Sequence, residues 1–456
     1  MNAMIKKRFC TFLSGSLLLI LLFFAGTIIA QHVETVEKKL LGKAEENIEK
    51  FRKGDVEIQF LDRSGKPLRD VKVEIIQQSH DFLFGCIIFD LIRNENTYRE
   101  ELFKQRFKKI FNLAVFPFYW PGYENTQGMP GWEDMIPTIE WCKANGITTK
   151  GHPLVWACSS GTPQWLRKYS IDETEELLKV RVKNIVSGFD DKIELWDVVN
   201  EPVNVKTWRN KIKNMDEPND WGVEDPINEV ADYVENAIKW AHQANPEATL
   251  LINEYRTIAD VKVRERYYEL LRELKNRKAP FADIGIQGHE PRQEWFNPEE
   301  TWKTFDLYSD LGYTLHITEF HPQSSGVEIT GGWRTGNWTP ETQTEFTEQF
   351  VKLCFGHPAV ASINWWGFSD RNIWLPGGGL VDEEYRPKPV YEMLDKLINE
   401  TWKTTLQQTA DADGKVTFRG FFGNYAISLI TPDGMVHTYP VHIRKDEANE
   451  WVFKVE

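Results

Sequence analysis

Eight short apolar runs recur between Asp81 and Trp402, and this repeat constrains the fold more than any other feature of the sequence. Between them lie longer segments with apolar residues at helical spacing, such as Asp172–Val186 and Val261–Asn276. Eight strand–helix units over roughly three hundred residues predict an α/β fold, a closed (β/α)8 TIM barrel. The predicted strands are Phe82–Phe89, Leu113–Trp120, Thr148–Trp156, Ile193–Asn200, Thr249–Tyr255, Asp283–His289, Thr314–Phe320 and Ala361–Phe368.

Six of these runs are apolar at their start and finish in polar or aromatic residues. In a parallel barrel the carboxyl ends of all strands meet at one rim, where active sites lie. One or two such endings would be ordinary caps or turn formers, but six on one rim predict a functional site. The strand-end residues are His152 and Trp156, Asn200 and Glu201, Asn253, Glu254 and Tyr255, Gln287 and His289, Glu319, and Trp366.

The two ends of the chain carry a different, alternating pattern. Asp55–Ile76 is typical of a β-hairpin, and short alternating strands separated by turn residues return beyond Trp402. We expect both flanks to pack together as one small accessory β-sandwich-like module. The predicted organisation is a signal peptide or signal anchor at 1–30, a linker helix at 31–53, an N-terminal β-segment at 54–80, the barrel at 81–403 and a C-terminal β-module at 404–456.

The N-terminal segment has the pattern of an export signal. Lys6, Lys7 and Arg8 precede a dense apolar stretch, and Ala30 supplies a small residue at the end of it. Cleavage would leave a secreted or periplasmic protein with no stable membrane partner, whereas an uncleaved segment at 9–30 would anchor it. The remaining cysteines can be buried thiols or form a disulfide, and the sequence leaves both open for Cys86, Cys142, Cys158 and Cys354.

Charge and aromatic content restrict the class of partner. The formal net charge of −14 argues against a nucleic-acid partner, because phosphates require a basic surface. The chain contains 18 Trp, an excess better explained if several indoles form flat platforms for sugar rings. No His, Asp or Cys cluster has ligand spacing, so we expect neither metal nor other cofactor. The expected protein is a monomer that binds a β-linked polysaccharide or oligosaccharide.

Two glutamates follow strands that face each other across the predicted barrel. Glu201 ends the segment Trp196–Glu201, and Glu319 ends Leu315–Glu319. Hydrolysis of a glycosidic bond requires a proton donor for the leaving oxygen and a group that attacks or stabilises the sugar centre, and two carboxyl groups suffice. A lone rim carboxylate is more often a salt-bridge partner. A pair on opposed strands, one of them preceded by Asn200, predicts catalysis.

A set of segments in matching order resembles glycoside hydrolase family 10, the endo-β-1,4-xylanases, over nearly all of residues 81–400. The flanking β-segments are similar to modules of multidomain members, including plant-type ones. The resemblance implies a secreted enzyme that cleaves internal β-1,4 linkages of xylan by double displacement, with retention. The matching segments are Gly151–Trp156, Trp196–Glu201, Ile284–His289, Ile317–Glu319, Asn364–Gly367, Leu380–Asp382 and Arg386–Tyr391.

The resemblance also implies a role for each matched residue. Glu201 would be the acid/base and Glu319 the nucleophile, while Asn200 would hydrogen-bond the 2-hydroxyl of the sugar under attack. His289 would hold Glu319 in position, helped by Gln287. The other predicted substrate-binding residues are His152 and Trp156 on the glycone side, Trp366 and Trp374 over the sugar at the cleavage point, and Tyr119, Trp120, Asn253 and Tyr255 on the rim.

The sequence departs from the family pattern on the glycone side. Phe116–Glu124 stands where members usually carry a Glu-Asn-x-x-Lys-Trp-like segment, and Ala157–Ser159 replaces the usual His-Ser-Gln. Aromatic groups in these segments would contact a sugar by stacking rather than by directional hydrogen bonds. Two further hypotheses therefore stand beside xylan hydrolysis: a retaining β-glycosidase for a different or heavily substituted β-glycan, and a non-catalytic carbohydrate-binding or sensing barrel.

Overall fold

The computed structural model describes residues 31–92, 97–217, 221–222, 224–289, 292–371, 373–431 and 434–455. The predicted signal segment, residues 1–30, lies outside these ranges. Within them, no helix is both long enough and apolar enough to cross a membrane.

Eight parallel strands close into a barrel in sequence order, which confirms the predicted fold. Closure occurs where the last strand pairs with the first, with Ser362 opposite Leu83. Several strands end before their predicted limits, because rim residues such as Gln287 and His289 lie in the loops that follow. Numbered along the whole chain, the barrel strands are β3 Leu83–Ile87, β4 Leu113–Pro117, β5 Thr148–His152, β6 Leu195–Asn200, β7 Thr249–Glu254, β8 Asp283–Ile286, β9 Thr314–Phe320 and β10 Val360–Trp365.

Helices between the strands cover the outside of the barrel. The helix at 171–188 begins with a capping box in which Ser170 and Glu173 bond each other's backbone nitrogen. The helix at 227–244 buries an apolar stripe that includes Val230, Val234 and Ile238. The α-helices are α1 at 31–51, α2 Phe89–Ile92, α3 Thr97–Ile110, α4 Trp120–Tyr123, α5 Ile136–Ala144, α6 Ile171–Gly188, α7 Trp208–Lys213, α8 Ile227–Ala244, α9 Val261–Asn276, α10 Pro298–Ser309, α11 Pro340–Gly356 and α12 Pro389–Lys396. Shorter helical turns lie at Glu133–Met135, Gln164–Lys168 and Leu397–Thr401.

The flanks of the chain form one sandwich of two sheets, as predicted. Its strands are β1 Lys53–Leu61, β2 Lys72–Gln77, β11 Thr405–Thr409, β12 Lys415–Phe421, β13 Gly423–Ile430, β14 Val436–Ile443 and β15 Asn449–Lys454. One sheet has the order β12–β1–β15 and the other β11–β2–β13–β14, so both sheets contain strands from both flanks. Alternate side chains point inward, and Ile58, Val73 and Ile427 are fully buried between the sheets.

Helix α1, predicted as a linker, packs on the outside of the barrel. Val36, Leu40 and Ala44 form a small apolar cluster with Trp302 of α10 and Leu353 of α11. The helix therefore contributes buried surface to the barrel as well as connecting to β1.

Cys86, Cys142, Cys158 and Cys354 are buried, and no disulfide joins them in the described part of the chain. Burial raises the pKa of Cys86 and Cys354 well above the usual thiol range. Such thiols behave as small apolar residues of the core rather than as reactive groups.

Candidate active site

One cleft at the carboxyl ends of the barrel strands contains most of the predicted site residues. It encloses about 370 Å³, and the side chains of Glu201 and Glu319 both open into it. Loops from several strands meet here, in agreement with the strand-end pattern. The lining residues are Tyr119, His152, Trp156, Ser160, Asn200, Glu201, Trp221, Tyr255, His289, Arg292, Glu319, Trp366 and Trp374.

Glu201 follows β6 directly, with its backbone in the left-handed region at φ 55°. Its backbone nitrogen donates a hydrogen bond to the carbonyl oxygen of Asn253 at 2.8 Å. On the side chain, Oε1 accepts from Nε2 of Gln287 at 2.9 Å. Oε2 accepts from the indole nitrogens of Trp221 at 2.8 Å and Trp156 at 3.2 Å. Three N–H donors therefore fix a carboxyl group whose residue is only 6% exposed.

Glu319, on β9, is held by an amide chain below the cleft. Its Oε1 accepts from Nδ2 of Asn253 at 2.7 Å, and the same nitrogen donates to Oδ1 of Asn200 at 2.8 Å. The hydroxyl of Thr318 donates to Oδ1 of Asn253 at 2.5 Å, which fixes the orientation of the amide. Asn253 is fully buried and lies outside the cleft lining, so the prediction that it binds substrate is corrected: it orients Asn200 and Glu319.

Gln287 and His289 both contact Glu319, but the side chain of Gln287 bonds Glu201 instead. The side chain of Gln287 bonds Glu201, and only its main-chain oxygen contacts Glu319, by accepting from the backbone nitrogen at 2.8 Å. Gln287 is also fully buried behind the cleft wall and does not reach a substrate. Nδ1 of His289 lies 2.8 Å from the main-chain oxygen of Glu319 and 3.8 Å from its carboxylate. Both residues therefore fix the backbone of Glu319.

The two carboxyl groups influence each other's ionisation. Burial raises the pKa of Glu319 well above the usual range, and repulsion from Glu201 raises it further. Burial also raises the pKa of Glu201, against the opposing effect of its N–H donors. Because ionised Glu201 disfavours ionisation of Glu319, the two carboxyl groups titrate as a coupled pair. Loss of one proton from the pair leaves one acid and one carboxylate.

A buried chain of charged groups orients His152. Nδ1 of His152 donates to Oδ2 of Asp197 at 2.8 Å, and Nζ of Lys150 lies 2.9 Å from the same oxygen. Nε2 of His152 is 3.8 Å from Oε1 of Glu319. Burial lowers the pKa of His152, although its hydrogen bond to Asp197 acts in the opposite direction. The lowered pKa favours a neutral ring. Its position in the cleft agrees with the predicted glycone-side residue.

Aromatic side chains form much of the cleft wall. The ring of Trp366 stands edge-on to His152, with ring centroids 4.8 Å apart. Tyr119 contacts Trp156, with centroids 5.9 Å apart. Trp374 is 46% exposed and therefore has surface available for a sugar ring. Tyr255 also lines the cleft, as predicted.

Trp120 does not line this cleft, although the sequence predicted it there. The chain turns into α4 at this residue, so Tyr119 faces the cleft while Trp120 points to the outside of the barrel. Its indole stacks on Trp208, with centroids 5.7 Å apart, and its Nε1 donates to Glu124 at 2.8 Å. At 3% exposure it cannot stack on a sugar bound at Glu201.

Sequence reasoning missed several residues of the site. Trp221 bonds Glu201 from a loop 20 residues further along the chain, and no periodic pattern marks it. Arg292 lines the cleft with its guanidinium 4.4 Å from the ring centroid of Trp374. Asp197 could have been recognised, because an acidic residue inside an apolar strand requires a partner.

A closed (β/α)8 barrel with two buried carboxyl groups in an aromatic rim cleft is the arrangement of a glycoside hydrolase. The sequence model of glycosyl hydrolase family 10 matches residues 74–397. The chain belongs to this family, which confirms the resemblance found in the sequence.

Curated relatives and solved structures agree with this assignment. Endo-1,4-beta-xylanase B of Thermotoga neapolitana is 30% identical over 313 residues, covering 65% of this chain and 83% of the relative. Anti-sigma-I factor RsgI6 of Acetivibrio thermocellus is 25% identical over 410 residues, covering 89% of this chain but only 48% of the relative's length. The structure of xylanase 10B from Thermotoga petrophila in complex with xylobiose shares the fold, with a TM-score of 0.57 and 24% identity over 70% of this chain and 95% of that one.

Proposed function

We propose that this chain hydrolyses internal β-1,4 linkages of xylan-type polysaccharide and retains the configuration at the anomeric carbon. The observation that carries the proposal is the pair Glu201 and Glu319, which open into one aromatic cleft with separate hydrogen-bond partners. The similarity to endo-1,4-beta-xylanase B supports xylan as the substrate class.

In the first step the carboxylate of Glu319 attacks the anomeric carbon. The bond from that carbon to the glycosidic oxygen breaks, and the acid form of Glu201 gives its proton to the leaving oxygen. Asn200 lies beside both groups and would hydrogen-bond the 2-hydroxyl of the sugar under attack. The hydrogen bond from Asn253 to Oε1 orients the carboxylate of Glu319.

In the second step Glu201, now a carboxylate, takes a proton from a water molecule. The oxygen of that water attacks the anomeric carbon and displaces Glu319, which restores the starting protonation of both groups. The three N–H donors to Glu201 stabilise the carboxylate form that this step requires.

A second candidate substrate is a different or heavily substituted β-glycan. Tyr119 lines the cleft within the segment that departs from the family pattern, where family members present polar groups. Stacking tolerates more variation in the sugar's hydroxyl pattern than directional hydrogen bonds do. The same catalytic pair would serve either substrate.

A second candidate function is a carbohydrate-binding or sensing barrel without turnover. The observation that favours it is the match to an anti-sigma-I factor over 89% of this chain. The intact set of Glu201, Glu319, Asn200 and His289 in one cleft favours hydrolysis.

We also propose that the chain is exported as a monomer, secreted or periplasmic, on the basis of the N-terminal pattern. Cell fractionation with N-terminal sequencing tests this. A product beginning near Gln31 supports cleavage, a full-length membrane product supports an anchor at 9–30, and a cytoplasmic product overturns export. Light scattering of the purified product tests the monomer.

The test of activity is product release by residues 31–456 from purified β-glycans, including plain and substituted xylans. Glu319→Ala is the control for contaminating enzymes. We expect plain xylan to give short oligosaccharides, with the β-anomer appearing first by NMR. Turnover of another glycan without turnover of xylan would show that the substrate differs from the proposed one, while the proposed mechanism would stand. No turnover of any glycan, with binding retained, would favour the sensing barrel.

A further inference from the structure

A groove larger than the catalytic cleft lies on the outer side of the barrel, between α6 and the segment 120–136. It encloses about 860 Å³. Its walls are predominantly apolar, and five aromatic side chains contribute to them: Trp120, Tyr123, Trp132, Trp165 and Phe189. The catalytic steps do not use this groove.

The aromatic rings of the groove are fixed at its inner end and accessible at its rim. Trp165 stands edge-on to Trp120, with centroids 5.6 Å apart, and its indole nitrogen donates to the carbonyl oxygen of Glu124 at 3.0 Å. Trp132 on the rim is 40% exposed. A rim indole with a free face is a suitable platform for a sugar ring, which presents apolar C–H groups to the ring.

A buried cation with unused hydrogen-bonding capacity lies in the same groove. Arg181 is 5% exposed, and its guanidinium is 4.9 Å from the ring centroid of Trp120 and 5.3 Å from that of Tyr123. Its Nε and Nη2 donate to the carbonyl oxygens of Leu154 and Phe118. Its Nη1 has no hydrogen-bond partner in the described part of the chain. A buried donor of this kind favours a ligand with an oxygen acceptor.

The composition of the groove restricts the ligand. A purely apolar ligand would leave Nη1 of Arg181 without a partner, whereas a sugar chain offers both apolar faces and hydroxyl edges. A nucleic acid would meet few cations on a chain of net charge −14. Residues that are neighbours in sequence line the two sites, Tyr119 the cleft and Trp120 the groove.

We propose that this groove is a second binding site for the β-1,4-linked xylan chain, separate from the catalytic cleft. Trp132 supplies the stacking platform, and Nη1 of Arg181 donates to a ring or hydroxyl oxygen. The site holds polymer against the protein while the cleft cleaves it. This inference rests on the proposed substrate class, and it affects long chains only, because a short oligosaccharide reports on the cleft alone.

The test measures retention of the Glu319→Ala protein on plain β-1,4-xylan by affinity electrophoresis. Two groove variants are added to it: Trp132→Ala removes the platform, and Val180→Arg places a long side chain in the groove from an exposed position on α6. Met129→Ala is the matched control, since Met129 lies in the same segment, is 70% exposed and does not line the groove. The same substitutions in the active protein are assayed on polymeric xylan and on xylotetraose.

We expect both groove variants to bind plain xylan about three- to tenfold more weakly than the Met129→Ala control, the range for loss of one stacking contact. In the active protein, turnover of dilute polymer should fall, while turnover of xylotetraose stays within about twofold. Unchanged retention in both variants would overturn the groove site even if the enzyme cleaves xylan. Retention that depends on the groove without any turnover would keep this site and reject the proposed hydrolysis. If turnover of xylotetraose falls as much as turnover of polymeric xylan, the substituted residues act on the cleft, and the inference is overturned.

Discussion

Gln287 donates a hydrogen bond from its amide nitrogen to Oε1 of Glu201 at 2.9 Å. The main-chain oxygen of the same residue accepts from the backbone nitrogen of Glu319 at 2.8 Å. One residue of the β8 loop therefore fixes the side chain of one carboxylate and the backbone of the other. A displacement of this loop would change the separation of the catalytic pair, on which the choice between retention and inversion depends.

Loss of the indole donor at Trp221 should shift the alkaline limb of the pH profile. The N–H of Trp221 stabilises the ionised form of Glu201 and so lowers its pKa. In Trp221→Phe the pKa of Glu201 rises, the acid form persists to higher pH, and the alkaline limb of kcat/KM moves upward. The expected displacement is about half a pH unit to one unit, for one hydrogen bond to a charged group.

The matched control for this change is Trp132→Phe, a tryptophan that makes no contact with Glu201 and lies in the separate groove. Its pH profile on a short xylo-oligosaccharide should coincide with that of the unmodified protein. A downward displacement of the alkaline limb in Trp221→Phe would contradict the assignment of Glu201 as the acid.

Loss of the amide donor at Asn253 should shift the acid limb of the pH profile of kcat/KM. Nδ2 of Asn253 stabilises the ionised form of Glu319. In Asn253→Leu the pKa of Glu319 rises further, so the acid limb of kcat/KM moves to higher pH by about one unit. We also expect kcat to fall by roughly tenfold or more, because Asn200 loses the same donor. An acid limb that stays in place while kcat falls would show that Asn253 acts through Asn200 alone.

The barrel and its catalytic pair could be predicted because both follow periodic rules. Eight apolar runs with helical segments between them admit few folds, and the strand-end rule then placed Glu201 and Glu319 on one rim. The conformation of individual rim residues follows no such rule. Tyr119 and Trp120 are neighbours in sequence, yet α4 begins at Trp120 and directs it away from the cleft.

Contacts that depend on loop geometry also could not be predicted from the sequence. Trp221 reaches Glu201 across a loop, and no spacing connects the two residues. The family resemblance assigned Gln287 to help position Glu319, whereas the turn after β8 directs its side chain toward Glu201. Which of two neighbouring carboxylates an amide bonds depends on the backbone angles of the loop, and the residue order does not determine them.

Substrates that differ in the basicity of their leaving group should distinguish the role of Glu201 from that of Glu319. In Glu201→Ala no acid protonates the leaving oxygen, so cleavage of xylan should fall by about 10²- to 10⁴-fold. An aryl xyloside with an acidic phenol needs little protonation, and formation of the glycosyl intermediate from it should be largely retained in a pre-steady-state burst. Glu319→Ala should be inactive on both substrates. Equal losses on xylan and on the aryl xyloside for Glu201→Ala would count against its acid role.

The stability of the catalytic domain should depend on Arg52, which joins the flanking segment to the barrel. Its guanidinium donates to the main-chain oxygens of Phe355, His357 and Val360 at 2.6 Å each, where α11 ends and β10 begins. Burial lowers the pKa of Arg52 to about 10, so the cation remains charged at neutral pH. Arg52→Ala leaves these carbonyl groups without their donor, and the free energy of unfolding should fall by roughly 3 kcal/mol.

Guanidinium denaturation measures this change in the free energy of unfolding. Lys179→Ala is the control, because the partly exposed pair of Lys179 with Glu176 should contribute at most about 0.5 kcal/mol. A change in Arg52→Ala no larger than in the control would show that the flanking segment and the barrel are stabilised independently.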